Sequence, residues 1–217
     1  MSDEEDENYK SCKVVLLGET GVGKTSIISR YITNVFSPIV MTSTSSSFVT
    51  KDIEIDKNNK VRFQIWDTAG QEKYRSLAKI FYQNSAVIVL VYDSTSEISF
   101  KGIKEYWVKQ IKEHGAKDVI IAIAANKCDD YFRQVVPIEE GQKLAKELNA
   151  IFKNTSAKLG LGIDELFQLI AEKFINPAKN ISETYMNNEE IKEYKNRIKI
   201  EEVKKKTNEQ NNKRGCC

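Results

Sequence analysis

Three runs in this chain, "KVVLL", "AVIVLVYD" and "VIIAIAAN", are apolar at consecutive positions instead of alternating ones. A strand that presents apolar side chains on both faces needs cover on both faces, which parallel sheets obtain from crossover helices. Segments with helical spacing stand in the right places to supply it, at Lys24–Thr33, Ser96–Glu113, Ile138–Leu148 and Gly162–Phe174. In the last, Ile163, Leu166, Phe167, Ile170 and Phe174 make one apolar stripe. With "VRFQIWD" and "AIFKNT" as further strands, the alternation predicts an α/β fold in which a mostly parallel sheet lies between helices. One stretch breaks the rule. In "FVTKDIEIDKNNKVRFQIWD" two strand patterns meet at "DKNNK", a hairpin, so one edge strand is expected to be antiparallel.

Composition narrows the function classes. No apolar run approaches the ~18–20 residues of a membrane span. The acidic start, "MSDEEDENYK", is the reverse of a secretory signal and reads as a short disordered lead on a cytosolic protein. A formal net charge of +2 gives no support to a nucleic-acid binder. The only histidine is His114, which all but excludes a Ser-His-Asp triad or a multi-histidine metal site. Cys12, Cys128, Cys216 and Cys217 fit neither a disulfide framework nor a zinc site.

After Pro177 the chain turns rich in Asn, Lys and Glu. We therefore expect a lead over residues 1–10, one domain over 11–176 and a tether over 177–217. Opposite charges four apart, as at Glu193–Arg197 and Glu202–Lys206, favour partial helix in the tether. Its apolar stripe (Ile191, Tyr194, Ile198) is thin, so a solvated state is expected, with a partner-bound or membrane-surface helix as the alternative.

The first strand runs into "GETGVGKT", Gly18–Thr25, which fits G-x-x-x-x-G-K-[ST]. Glycines let the backbone wrap a phosphate, the following helix adds its positive end, and Lys24 brings a charge. The Thr25 hydroxyl can bind Mg²⁺. Thr20, Gly21, Val22, Gly23, Lys24, Thr25 and Ser26 are thus the candidate phosphate cradle. By itself the motif does not separate ATP from GTP.

"NKCD", Asn126–Asp129, ends another strand and speaks to that choice. The Asp129 carboxylate can accept from the N1–H and N2–H₂ edge of guanine, whereas adenine would leave it unpaired, a costly state for a buried charge. Lys127 can lie along the base, and Asn126 can bind backbone and hold the loops together. In "WDTAGQE", Asp67 can hold the magnesium through water, Gly70 can donate its N–H to a terminal phosphate, and Gln71 can orient an attacking water.

Together "GETGVGKT", "WDTAGQE", "NKCD" and "TSAK" (Thr155–Lys158) resemble, in order and spacing, the Ras-superfamily small GTPases. "RFQIWDTAGQEKYRSL", "LVYDST" and the terminal "GCC" resemble the Rab branch, and "RSLA" leans towards its endosomal members. The resemblance implies a P-loop G domain with a six-stranded sheet and about five helices. It implies a GTP/GDP switch that hydrolyses GTP with Mg²⁺ and recruits effectors in vesicle trafficking. It further implies that Ser156, Ala157 and Lys158 support the guanine through backbone contacts and that Phe36 packs against the base edge. Where the family usually has Thr-Ile-Gly in its first switch, this chain reads Ser43-Thr44-Ser45. That assigns the switch hydroxyl on the metal to Ser43, with Thr42 or Thr44 as alternatives by a register shift. Thr20 stands where some relatives have glycine, and slow intrinsic turnover is expected from it. A slow or non-hydrolysing guanine-nucleotide scaffold is the competing function.

The implied partners are an exchange factor, a GTPase-activating protein, effectors reading both switches, and a prenylation escort and extraction factor. No arginine of the domain is placed by motif as a finger, so one is expected in trans. The resemblance implies geranylgeranyl groups on Cys216 and Cys217, which would attach a monomer to the cytosolic face of a vesicle or endosome membrane.

Overall fold

The hairpin foreseen at "DKNNK" forms because Asp56 Oδ1 accepts from the backbone N–H groups of Asn58 and Asn59 at 2.8 and 2.9 Å. A short carboxylate closing its own turn in this way is what reverses the chain there. The computed structural model describes residues 9–38, 47–68 and 75–180, and beyond them 185–186, 189, 191–194, 196 and 200. Its strands are β1 (Tyr9–Leu17), β2 (Ser47–Asp56), β3 (Asn59–Asp67), β4 (Val87–Asp93), β5 (Ile120–Asn126) and β6 (Ile151–Asn154). They form one sheet in the order β2-β3-β1-β4-β5-β6. Every pairing is parallel except β2 with β3, so the antiparallel strand lies at the edge, as expected.

The helices are α1 (Lys24–Thr33), α2 (Arg75–Tyr82), α3, α4 (Ile138–Glu147) and α5 (Ile163–Ile175). α3 is a composite rod: Glu97–Gly102, a π-helical turn at Ile103–Trp107, then Val108–His114, with right-handed helical backbone at both junctions. The Ser96 side chain caps its start by accepting from Ser99 N–H at 3.3 Å. Sequence spacing missed α2 because eight residues offer barely two turns of periodicity. It also missed the π turn, which only packing against the sheet reveals.

Successive residues of the central strands feed two cores. Val14, Leu16, Val89 and Val91 face α1 and α5, while Val15, Leu17, Ile88 and Leu90 face α3 and α4. Each such side chain, once fully buried, contributes about 1.5–3 kcal/mol. On the first face Phe167 of α5 stacks on Tyr31 of α1, centroids 3.8 Å apart, and tilts against Phe63 at 5.8 Å. Phe167→Ala would empty this junction, at about 3–5 kcal/mol.

Two boundaries differ from expectation. β1 begins at Tyr9, within the stretch read as a lead, because Tyr9 pairs with Lys60 in the sheet and its ring takes Arg62 at 4.8 Å. Part of the stretch read as a solvated tether packs on the domain, while Glu189, Lys192, Glu193, Asn196 and Ile200 are exposed. Ile191 is buried in the second core, and Tyr185, Met186 and Tyr194 pack against it. The thin apolar stripe is enough because it meets a ready-made surface instead of water. Among the described residues no helix is long and apolar enough to cross a membrane.

Candidate functional site

The C-terminal ends of the parallel strands open on a cavity of about 360 Å³. Thr20, Gly21, Gly23, Lys24, Thr25 and Ser26 line one end of it, and Asn126, Lys127, Asp129, Ala157 and Lys158 line the other. Phe36 lines it too, while also packing on the first core. Of the described residues proposed from sequence, Val22, Asp67 and Ser156 do not line it. Val22 turns its side chain into the core, leaving only its backbone on the loop. Ser156 is fully buried behind Asp129. Ser43, Gly70, Gln71, Cys216 and Cys217, with the alternatives Thr42 and Thr44, lie outside the described residues.

The phosphate end is a loop wrapped around a buried ammonium. Gly23, at φ +99°, caps α1, and a Cβ there would stand 2.4 Å from Asn126 Nδ2. Both the conformation and the close approach demand glycine. Lys24 is 5% exposed, and its Nζ donates to the carbonyls of Gly18 and Glu19 at 2.9 and 3.1 Å. Burial pushes its pKa down to about 8, against the pull of Asp67 and Glu19. Thr25 Oγ1 donates to Asp67 Oδ2 at 2.5 Å, so the two oxygens proposed as metal ligands meet at this end. Among the described residues no cluster of three or more His, Cys, Asp or Glu could cage a metal. Two hard oxygens beside a phosphate cradle suit Mg²⁺, which keeps several waters and takes other ligands from the phosphates. Thr68, unremarked in the sequence, braces this end: it is buried, and its Oγ1 donates to Leu16 C=O at 2.6 Å.

At the base end three loops are tied together. Asn126 Nδ2 donates to Val22 C=O at 2.8 Å, joining the β5 loop to the phosphate loop. Thr155 Oγ1 donates to Asn126 Oδ1 at 3.2 Å, and Cys128 N–H donates to Thr155 C=O at 3.1 Å, joining the β6 loop. Asp129 is 8% exposed; its Oδ1 accepts from Ser156 Oγ at 2.6 Å, and Lys158 Nζ stands 3.8 Å from its Oδ2. Lys127 sits at φ +62°, an unusual backbone for a long side chain, and its Nζ meets Asp93 Oδ2 at 2.7 Å.

Several supports were invisible in the motifs. Asp93 is itself held, its Oδ1 accepting from Thr95 N–H and Oγ1 at 2.8 and 2.7 Å. Arg30 of α1 reaches across to the carbonyls of Ala157 and Lys158 at 2.7 and 2.9 Å. Arg133 lines the cavity at the base end, paired with Asp130. The "LVYDST" stretch hinted at Asp93 and Thr95, but only their position beside the β5 loop shows what they hold.

Outside the cavity, Phe48 of β2, Trp66 of β3 and Phe81 of α2 make an aromatic row, with centroids 5.0 and 5.5 Å apart. Lys13 Nζ lies 5.7 Å from the centre of the Trp66 ring, and Phe48 is 48% exposed.

The Ras family model matches residues 13–176. The Ras-related protein Rab-31 of Homo sapiens is 42% identical over 173 residues, covering 79% of this chain and 88% of that one. Rab-22A of Homo sapiens is 40% identical over 172 residues, covering 79% and 88%. Rab-10 of Caenorhabditis elegans is 39% identical over 163 residues, covering 75% and 80%. With its six-stranded sheet, phosphate loop and buried Asp129 at one cavity, the chain belongs to the Ras family as a Rab-like small GTPase of vesicle trafficking, an enzyme that hydrolyses GTP.

Proposed function

We propose that the cavity binds GTP and GDP with the base at Asp129 and the phosphates at Lys24. The observation that carries this is the buried Asp129 carboxylate, positioned by Ser156 and opening on the same cavity as Lys24. Asp129 accepts from the guanine N1–H and N2–H₂ groups. Lys127 lies along the base, and Asn126 keeps the base and phosphate loops in register. Ala157 and Lys158 offer backbone to the guanine, and Phe36 covers its edge. Thr20, Gly21, Val22, Gly23 and Ser26 cradle the phosphates through their backbone, and Lys24 meets the β- and γ-phosphate charge.

Thr25, Asp67 and Ser43 are the proposed holders of Mg²⁺, with Thr42 or Thr44 in place of Ser43 as the competing register. When bound, the ion neutralises charge that develops on the transferred phosphoryl group. Gly70 donates to the terminal phosphate, and Gln71 orients the attacking water. Thr20 stands beside the phosphates and keeps unassisted turnover slow. The arginine among the described cavity-lining residues, Arg133, is paired with Asp130 at the base end. That arrangement supports an activating protein that supplies its arginine in trans.

Exchange factors, activating proteins and effectors follow from the family; we propose that effectors dock on the Phe48–Trp66–Phe81 row. Geranylgeranyl groups on Cys216 and Cys217, handled by an escort and an extraction factor, would attach the protein to an endosomal membrane. Two chains anchor stably where one is marginal, at about 0.8 kcal/mol per buried CH₂. Similarity to Rab-31 and Rab-22A supports that compartment.

The test is Asp129→Asn, measured by equilibrium binding of guanine and xanthine nucleotides. Guanine affinity is expected to fall on the order of a thousandfold, and xanthine, whose C2 carbonyl accepts where guanine donates, to gain. Unchanged guanine preference would overturn the assignment.

A further inference from the structure

Gln142 is a glutamine on the buried side of α4, 5% exposed, beside an apolar core. An amide left unpaired there would carry its full desolvation cost. Its partner comes from beyond α5. Oriented to satisfy both of its groups, the Gln142 amide donates to Met186 C=O and accepts from Met186 N–H, both at 3.0 Å. We propose that the α4–β6 side of the domain is a receptor for the chain's own Tyr185, Met186, Ile191 and Tyr194, and that these residues work as a releasable latch on the domain.

Five further contacts converge on the same residues. Tyr185 O–H donates to Ala150 C=O at 2.6 Å. Lys146 Nζ lies 5.4 Å from the centre of the Tyr185 ring. Asn154 Nδ2 of β6 approaches Met186 Sδ at 4.0 Å. Ile191, 4% exposed, enters the second core, and Tyr194 packs beside it. The receptor therefore reads the chain through its backbone at Met186, an aromatic hydroxyl at Tyr185, and one apolar helical residue at Ile191. Each element is weak alone. Together they hold residues whose neighbours' composition would favour a solvated state.

The latch has a consequence for recognition. A protein that grips this stretch must compete with Gln142 and Ala150, and its affinity falls by the fraction of chains that are open. The α4–β6 surface is likewise closed to other partners until the segment leaves.

Hydrogen exchange followed by mass spectrometry on the full chain tests this, with a synthetic peptide of residues 183–196 as the unprotected reference. Amides of 185–194 are expected to exchange on the order of tenfold or more slowly in the chain than in the peptide. Tyr185→Phe and Ile191→Ser lie on the segment itself, so the domain keeps its fold in both. Each should raise exchange towards the peptide rate while α1 and β1 stay protected. Peptide-like exchange in the parent chain overturns the latch. So does protection that disappears on dilution together with a dimeric mass, because the receptor would then be filled by a second copy.

Discussion

The two ends of the cavity are built on opposite plans. At the base end, Asp129, Asn126, Thr155 and Ser156 already hold one another through side-chain hydrogen bonds of 2.6–3.2 Å. At the phosphate end a lysine is buried against two carbonyls, with its pKa pushed down to about 8. The first is positioned by the protein's own groups, and on the proposed reading it would discriminate against bases that cannot donate to the Asp129 carboxylate. The second carries a charge that burial disfavours, which a phosphate bound as proposed would compensate. One end is held by its own hydrogen bonds, and the other buries a charge that awaits a counter-charge.

The sharpest test of this contrast is Lys24→Met. Nucleotide affinity should fall on the order of a thousandfold, while the nucleotide-free protein gains stability. Lys24 is ordinarily half-protonated near 10.5, so its lowered pKa means that the charged form is disfavoured in the folded protein. That penalty, on the order of 3 kcal/mol, is fully present below pH 8 and is relieved as pH rises from 8 towards 10.5. Denaturant melts of nucleotide-free protein across that range should show the rise in the parent and its absence in Lys24→Met. A variant less stable than the parent at pH 7 would break the comparison.

Gln71→Leu probes the catalytic part of the phosphate end. It should lower partner-stimulated hydrolysis on the order of a hundredfold in single-turnover assays and leave nucleotide affinity nearly unchanged. At the other end, Ser156→Ala removes the 2.6 Å bond to a buried carboxylate. GDP release, followed with a fluorescent analogue, should speed up roughly tenfold, with hydrolysis of bound GTP unaltered. A hydrolysis defect in Ser156→Ala would show that the two ends are not separable. The smallest effect is expected for Ser43→Ala, a few-fold loss of affinity for GTP and little for GDP. If Thr42→Ala or Thr44→Ala does more, the register of the switch hydroxyl is shifted.

Much of this was legible beforehand because the signals are local. Consecutive apolar residues in "AVIVLVYD" announce a strand covered on both sides, and β4 is buried along its whole length. "DKNNK" closes on its own carboxylate, so the antiparallel edge needed no tertiary information. The spacing of Gly18, Gly23, Lys24 and Thr25 belongs to one turn between β1 and α1, which a short segment encodes by itself.

What depended on the whole fold are contacts between segments far apart in the chain. No pattern around Arg30 says that it will hold the carbonyls of Ala157 and Lys158, since that needs α1 and the β6 loop side by side. Asp93 reads as a strand end until β4 and β5 pair in register and bring it to Lys127. The residues beyond α5 read as a polar tether because hydrophobic content was judged against water. Folding supplied the other side, a buried Gln142 amide and an apolar face, and a thin stripe then had something to pack on. Chain-local geometry is written in adjacent residues; the worth of a side chain that reaches across the fold depends on what folding places in front of it.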